Sequence, residues 1–156
     1  MKKTISILVA LLGMCLFVSC GGSSKGEKAS PLGKQIQGEW RLSSWNGAAP
    51  TEFDAYIALN ADRTFVIYQK IETSNYQKFS GSYQLSGNVL SGVYSDKVPW
   101  GAKYQVAYDE GTSKMTLTSD SATAEVSVYV KASIPADVKS GSITVNSVRS
   151  ELKRLL

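Results

Sequence analysis

The chain has 156 residues, of which 43% are hydrophobic and 19% are charged, and its formal net charge is +4. This length suits a single domain with a sizeable apolar core, and 17 basic residues against 13 acidic ones argue against a nucleic-acid-binding protein, which would carry a basic patch. The sequence has no histidine, which excludes Ser-His-Asp and Cys-His catalysis and removes the commonest metal ligand.

Residues 1–19 have the layout of a secretory signal peptide. Lys2 and Lys3 give a basic start, an apolar run follows over residues 5–18, and a small residue precedes a cysteine. The run is shorter than the ~20 residues of a membrane-spanning helix. Its end, Phe-Val-Ser-Cys at residues 17–20, resembles the lipobox of bacterial lipoproteins, which are cut before the cysteine.

The resemblance to lipoproteins implies that Cys20 begins the mature chain and carries the lipid, including acyl chains such as palmitate. The alternative is a plain secreted protein with an incidental cysteine. Residues 20–34 are rich in glycine and serine and predict a flexible tether between the membrane and the domain. The glycine after Cys20 favours the outer membrane. The absence of an acidic cluster in the tether favours its periplasmic face over the cell surface.

From Ile36 onward, apolar and polar residues alternate between turn signals, which is typical of an all-β sandwich or barrel. Connections such as Asn46-Gly47 have turn chemistry, and all four prolines fall outside the proposed strands. The predicted strands are Gly38–Trp45, Phe53–Leu59, Thr64–Ile71, Tyr76–Leu85, Val89–Ser95, Lys103–Asp109, Lys114–Ser119 and Glu125–Lys131.

The short connections between these strands predict antiparallel neighbours. Eight strands in up-and-down order can close into a barrel without exposed edges, although periodicity alone leaves a sandwich open. Such a barrel is filled by side chains or holds one small ligand. Residues 147–155, with Ser147 as the cap, suggest a helix. The expected domain, residues 35–156, is therefore an all-β, eight-stranded antiparallel up-and-down barrel with a short C-terminal helix.

Several motifs in this β region resemble the bacterial lipocalin-like domain. Gly38 and Trp40 form a Gly-x-Trp motif like the signature of lipocalins. The resemblance covers residues 36–132, and it implies an eight-stranded barrel with a cup-like interior that is often lipid-anchored. The other motifs that carry it are Asn60–Phe65, Gly81–Leu90, Trp100-Gly101 with Tyr104-x-Val106, and Lys114–Thr118.

The resemblance also implies a structural role for Trp40. In lipocalins the signature tryptophan packs at the closed base of the barrel, often beneath a basic residue from a late strand or the tail. Arg149 and Arg154 are the candidates for this covering cation, which would lie over the indole face.

Nothing in the sequence indicates an enzyme. With Cys20 acylated, no thiolate nucleophile or zinc site remains, and there is no glycine-rich phosphate loop. The acidic residues are scattered, and several lie in or beside turns. We therefore predict no catalytic residue, no metal site and no cofactor.

The chain is rich in aromatic residues, with eight tyrosines and three tryptophans. Their rings suit a half-wet cavity or a protein interface, but filling the core is the alternative role for each. Loops of an up-and-down barrel alternate between its two ends, which predicts that Trp45 and Trp100 share one mouth. The candidate ligand-binding residues are Trp45, Tyr56, Tyr68, Tyr83, Tyr94, Trp100 and Tyr104.

Three functions compete on this basis. The first is a lipid-anchored protein that binds a small apolar or amphipathic ligand in the barrel mouth. The second is an interaction module or inhibitor whose rim loops bind an envelope protein. The third is a structural accessory without a ligand. The first is favoured, largely by the resemblance.

Overall fold

The computed structural model describes residues 31–145 and 152–156. The predicted signal peptide, Cys20 and residues 20–30 of the predicted tether lie outside this part. Within it, no helix is long and apolar enough to cross a membrane. The elements in chain order are α1 Pro31–Gln35, β1 Gly38–Trp45, β2 Phe53–Leu59, β3 Thr64–Ile71, β4 Gln77–Ser86, β5 Val89–Tyr94, β6 Tyr104–Asp109, β7 Lys114–Ser119, β8 Val126–Lys131, α2 Ala136–Gly141 and β9 Ile143–Thr144.

Strands β1 to β8 form a closed antiparallel barrel. Each pairs with its neighbour in sequence, and β1 pairs with β8 to close the ring. The short strand β9 adds to β4 in parallel, beside the first two residues of β4. The barrel prediction is thus confirmed over a sandwich.

The strand bounds follow from the alternation and from turn chemistry. Strands β1, β2, β3 and β7 have the predicted bounds, and the other four differ by one residue at one or both ends. After β1, Asn46 and Gly47 have φ angles of 49° and 84°. Trp45 and Ala48 exchange backbone hydrogen bonds of 2.8 and 3.1 Å across them. This is the two-residue turn that Asn-Gly favours.

The helices differ in position from the prediction. A short helix does follow the barrel, but it is α2, and residues 152–156 are not helical; residues 147–151 lie outside the described part. Residues 152–156 instead enter the barrel, where their backbone bonds to side chains. Helix α1 covers residues 31–34 of the predicted tether, and Gly33 in it is buried, so these four residues belong to the folded part of the chain.

Trp40 closes one end of the barrel, which we call the base. Its side chain is fully buried, and its Nε1 donates to the backbone oxygen of Ile36 at 2.8 Å. The covering cation is Lys131, whose Nζ lies 4.0 Å from the ring centroid, because β8 pairs Lys131 directly with Trp40. The expectation for Arg154 was wrong, since Arg154 lies over Tyr94 instead; Arg149 is outside the described residues.

Helix α2 covers part of the outer face of β2 and β3. Ile134 and Val138 pack there against outward-facing side chains of the two strands. Glu39 attaches this region to β1, because one carboxylate oxygen accepts from the backbone N–H of Ile134 at 2.7 Å and the other from Lys139 Nζ at 2.8 Å. The hydrogen bond from Lys139 is the main cause that lowers the pKa of Glu39.

Trp100 fills a seam between β5 and β6. These strands pair only at two positions near the start of β5. Beyond them, the Trp100 backbone N–H donates to the Gly92 oxygen at 2.9 Å, and its indole lies flush on Gly92. A Cβ at position 92 would lie 2.3 Å from an indole carbon, so this approach needs glycine.

Candidate ligand-binding site

The end of the barrel opposite the base is the mouth, where the β1–β2, β3–β4, β5–β6 and β7–β8 connections lie. Residues 152–156, which we call the inserted segment, occupy it. Leu155 and Leu156 are 6% and 3% exposed and pack against the barrel core. The inserted segment therefore occupies part of the mouth, and open space remains beside it.

Gln69 on β3 binds the backbone of the inserted segment through both polar groups of its side-chain amide. Its side chain is buried, with Nε2 donating to the Lys153 oxygen at 2.6 Å and Oε1 accepting from the Leu155 N–H at 2.9 Å. The Tyr94 hydroxyl donates to the Leu156 oxygen at 2.7 Å. A buried amide side chain is well placed here, because both of its polar groups are satisfied.

Arg154 is held in a cage of one carboxylate and two aromatic rings. Its guanidinium donates to both carboxylate oxygens of Asp96, at 3.2 Å for Nη1 and Oδ1, and both side chains are largely buried. Its Cζ lies 4.4 Å from the Tyr94 ring centroid and 5.4 Å from that of Phe79. The hydrogen bond with Arg154 lowers the pKa of Asp96, and it raises the pKa of Arg154 in turn.

A cavity of about 580 Å³ lies beside the inserted segment. Trp45 and Phe53 form one wall, with their rings 5.9 Å apart in an edge-to-face pair. Lys153, at the polar side of the cavity, pairs with Glu72 on the rim. The cavity joins an apolar wall to a charged rim; its lining is Trp45, Phe53, Ile71, Glu125, Lys153, Arg154 and Leu155.

Two other cavities lie on the outer surface of the barrel. A groove of about 710 Å³ runs along β1 and β2 and is lined by charged residues, including Arg41, Asp54 and Lys70. A smaller groove of about 440 Å³ is lined by Trp100 and Val93. The mouth cavity is the best candidate for an apolar ligand, because of these three it is the one that a pair of aromatic rings lines.

The structure does not bring Trp45 and Trp100 into one site. Trp45 lines the mouth cavity, whereas Trp100 is 6% exposed, faces Phe65 and Tyr104 inside the barrel, and lines the smaller outer groove. The indole Nε1 of Trp100 has no hydrogen-bond acceptor among the residues that the structure describes. The Trp100 ring lies in the seam between β5 and β6 and does not line the mouth cavity.

Two of the predicted tyrosines lie outside the barrel. Tyr56 and Tyr68 pack beneath α2, and the expectation that they line the mouth was wrong. The cause is strand parity, since Ile57 and Ile67 beside them point inward. Arg41 lies over the Tyr56 ring at 5.6 Å, which adds to the outer network.

The other predicted tyrosines point into the barrel at different depths. Tyr83 lies towards the base, where its hydroxyl donates to the Asn60 oxygen at 2.8 Å. Tyr104 is buried in the core, and this burial raises its pKa to about 12. Tyr94 is the one of the three that reaches the inserted segment, through its hydrogen bond to the Leu156 oxygen.

Gln69, Phe53 and Ile71 were missed as site residues. Gln69 carried a signal, because it interrupts the inward-facing series Phe65, Ile67 and Ile71 with a polar side chain. An inward-facing amide requires polar partners, which the inserted segment supplies. Among residues 31–145 and 152–156, no group of three or more acidic or cysteine side chains could hold a metal ion.

A closed eight-stranded up-and-down barrel with a tryptophan at its base defines a class of small barrels suited to holding a ligand. The family model of the lipocalin-like domain matches residues 36–133, and the chain belongs to this family. Proteins of the family generally bind ligands and are not enzymes. A search of curated proteins finds no match to the chain.

Proposed function

We propose that the protein binds a small apolar or amphipathic ligand in the mouth of its barrel and has no enzymatic activity. The observation that carries this proposal is the mouth cavity of about 580 Å³, which has Trp45 and Phe53 on one side and charged residues at its rim. The apolar part of a ligand would pack on these rings and on Ile71, and its polar part would remain at the charged rim.

Fluorescence of N-phenyl-1-naphthylamine, an apolar probe, tests this proposal. We expect the purified chain to bind it and the Trp45→Ala variant to bind it at least tenfold more weakly, about 1.4 kcal/mol, because the ring that forms the cavity wall is lost. The control is Val93→Ala, since Val93 is 41% exposed and lines the smaller outer groove. Equal losses in both variants, or no binding to the native chain, would contradict the proposal.

The packed interior favours a second candidate function. Inward-facing side chains and the inserted segment fill the barrel, which suits a module whose rim loops bind an envelope protein, for example as an inhibitor. In that case the native chain would bind no apolar probe, and a partner would be retained by the native barrel in a co-purification from an envelope fraction. The retention should fall when the exposed turn at Asn46-Gly47 is altered.

We also propose that Cys20 anchors the protein to the outer membrane, on its periplasmic face. The sequence pattern over residues 1–22 supports this: a basic start, an apolar run and a small residue before the cysteine. A lipid anchor would place the barrel within reach of membrane-derived apolar molecules.

Phase partition in Triton X-114 tests the anchor. We expect the native protein in the detergent phase and the Cys20→Ala variant in the aqueous phase, because an acyl chain gains ~0.8 kcal/mol for each buried CH₂. The matched control is Cys15→Ala, which removes a cysteine inside the predicted signal and should leave partition unchanged. Native protein in the aqueous phase would rule the anchor out.

A further inference from the structure

We propose that the inserted segment is a displaceable plug, and that the site beneath it takes a small apolar molecule with a cationic head, such as an amine or a guanidinium. This inference rests on the proposed function, because it names the ligand class and the regulation of the same mouth. It starts from the contacts that hold residues 153–156.

The inserted segment is not part of the barrel ladder. Each of the eight barrel strands pairs with the strand on either side of it, so the ring of strands is complete without the inserted segment. Its polar contacts are to side chains, namely the amide of Gln69, the hydroxyl of Tyr94 and the carboxylates of Glu72 and Asp96. Such contacts can be exchanged for a ligand's groups without breaking a strand pair.

The negative charge of Asp96 determines which kind of polar head group the site can bind. When the inserted segment leaves, the Asp96 carboxylate remains beside the rings of Tyr94 and Phe79, in the place that Arg154 fills. A largely buried carboxylate needs a cation, and aromatic faces attract one, so this cage disfavours a carboxylate or phosphate head. With the inserted segment in place, the Arg154 guanidinium thus occupies the position that we propose for the cationic head of the ligand.

The core beneath the mouth selects the apolar body. Leu155 and Leu156 bury their side chains against the barrel core, next to the ring of Tyr94. An alkyl chain can occupy the same space, and the Gln69 amide offers one donor and one acceptor to polar groups near the head. The side chains of Arg154, Leu155 and Leu156 therefore combine a cationic head with an apolar body.

A plug of this kind lowers the apparent affinity for the ligand. Only the fraction of molecules whose inserted segment is displaced can bind the cationic head at Asp96, and the dissociation constant measured for such a ligand rises by the inverse of that fraction. The affinity of the barrel is then set by how firmly residues 153–156 are held. A substitution that loosens the inserted segment, and changes nothing else in the barrel, should therefore raise the affinity for the ligand.

Calorimetric titration with octylguanidinium tests the plug. We expect a variant with Arg154→Ala, Leu155→Ala and Leu156→Ala to bind this probe at least tenfold more tightly than the native chain, with no such gain for octanoate. Adding Asp96→Asn should remove the gain. The control is Lys114→Ala, because that side chain is exposed at the start of β7, at the base end of the barrel, and its replacement leaves the cage, Lys153 and the two leucines in place.

Hydrogen exchange on the native chain tests the same idea without a variant that must fold. The Leu155 N–H is bonded to Gln69, and we expect its protection to fall at saturating octylguanidinium. Full protection with the probe bound, or equal affinities of the native and triple variants, would overturn the plug and leave the proposed function standing. Tight binding to the triple variant, with no apolar probe bound by the native chain, would support the plug and refute the proposed function of the native chain.

Discussion

Replacing Trp40 with alanine should lower the free energy of unfolding by about 3–5 kcal/mol, the range for removing a large aromatic side chain from a core. Trp40 is fully buried, and its ring packs edge-to-face on Tyr108 at 6.1 Å. Its loss leaves a cavity at the base, an unpaired Ile36 oxygen and Lys131 without the ring beneath it. Each of these three losses lowers the free energy of unfolding.

Urea denaturation followed by circular dichroism measures this effect, since tryptophan fluorescence changes with the substitution itself. Trp40→Phe should cost less than Trp40→Ala, because it keeps a ring in the base and loses mainly the hydrogen bond to Ile36. The matched control is Trp45→Ala, at a partly exposed position in the mouth. If Trp40→Ala costs no more than this control, Trp40 does not close the base of the barrel.

The strands and the base were predictable from the sequence because their signals are local. Alternation, the Asn46-Gly47 turn and the placement of proline indicate where strands begin and end, and the Gly-x-Trp motif singles out Trp40. The cation above Trp40 was not predictable in this way. Lys131 reaches the indole through the register between β1 and β8, which is a pairing between residues far apart in the chain.

The packing of the aromatic residues was predictable only in part. Tyr56 and Tyr68 alternate with the inward-facing Ile57 and Ile67, so strand parity places them on the outer face, but the alternation does not indicate that α2 covers them there. Trp100 depends on a gap in pairing between β5 and β6 that alternation does not reveal. In both cases the contact that covers the ring lies outside the alternating pattern of its own strand.

The form of the chain in the mouth was also not predictable from local sequence signals. Leu152 and Leu155 lie three residues apart, a spacing that fits one face of a helix. In the structure, residues 152–156 run into the barrel without helical form, and Leu155 and Leu156 are both buried. The capture of this backbone by Gln69 outweighs helix propensity, which is weak in so short a segment.

The pair of Arg154 and Asp96 should be the strongest ion pair of the mouth. Replacing Asp96 with alanine should lower the free energy of unfolding by about 3 kcal/mol, because it leaves a largely buried guanidinium without its anion. A double-mutant cycle with Arg154→Met should give a coupling above ~1 kcal/mol, since the two losses overlap. Chemical denaturation of the four proteins measures it.

The matched control for this cycle is the pair of Lys153 and Glu72, whose side chains are 67% and 70% exposed. Its coupling should lie between about 0 and 1 kcal/mol, because water screens the charges. The contribution of the Arg154–Asp96 pair should also depend on pH: the pKa of Asp96 is lowered in the folded state, so its contribution is present above the ordinary carboxylate pKa and is lost as the pH falls through the lowered value. Equal couplings would mean that the cage around Arg154 does not hold residues 153–156 in the mouth.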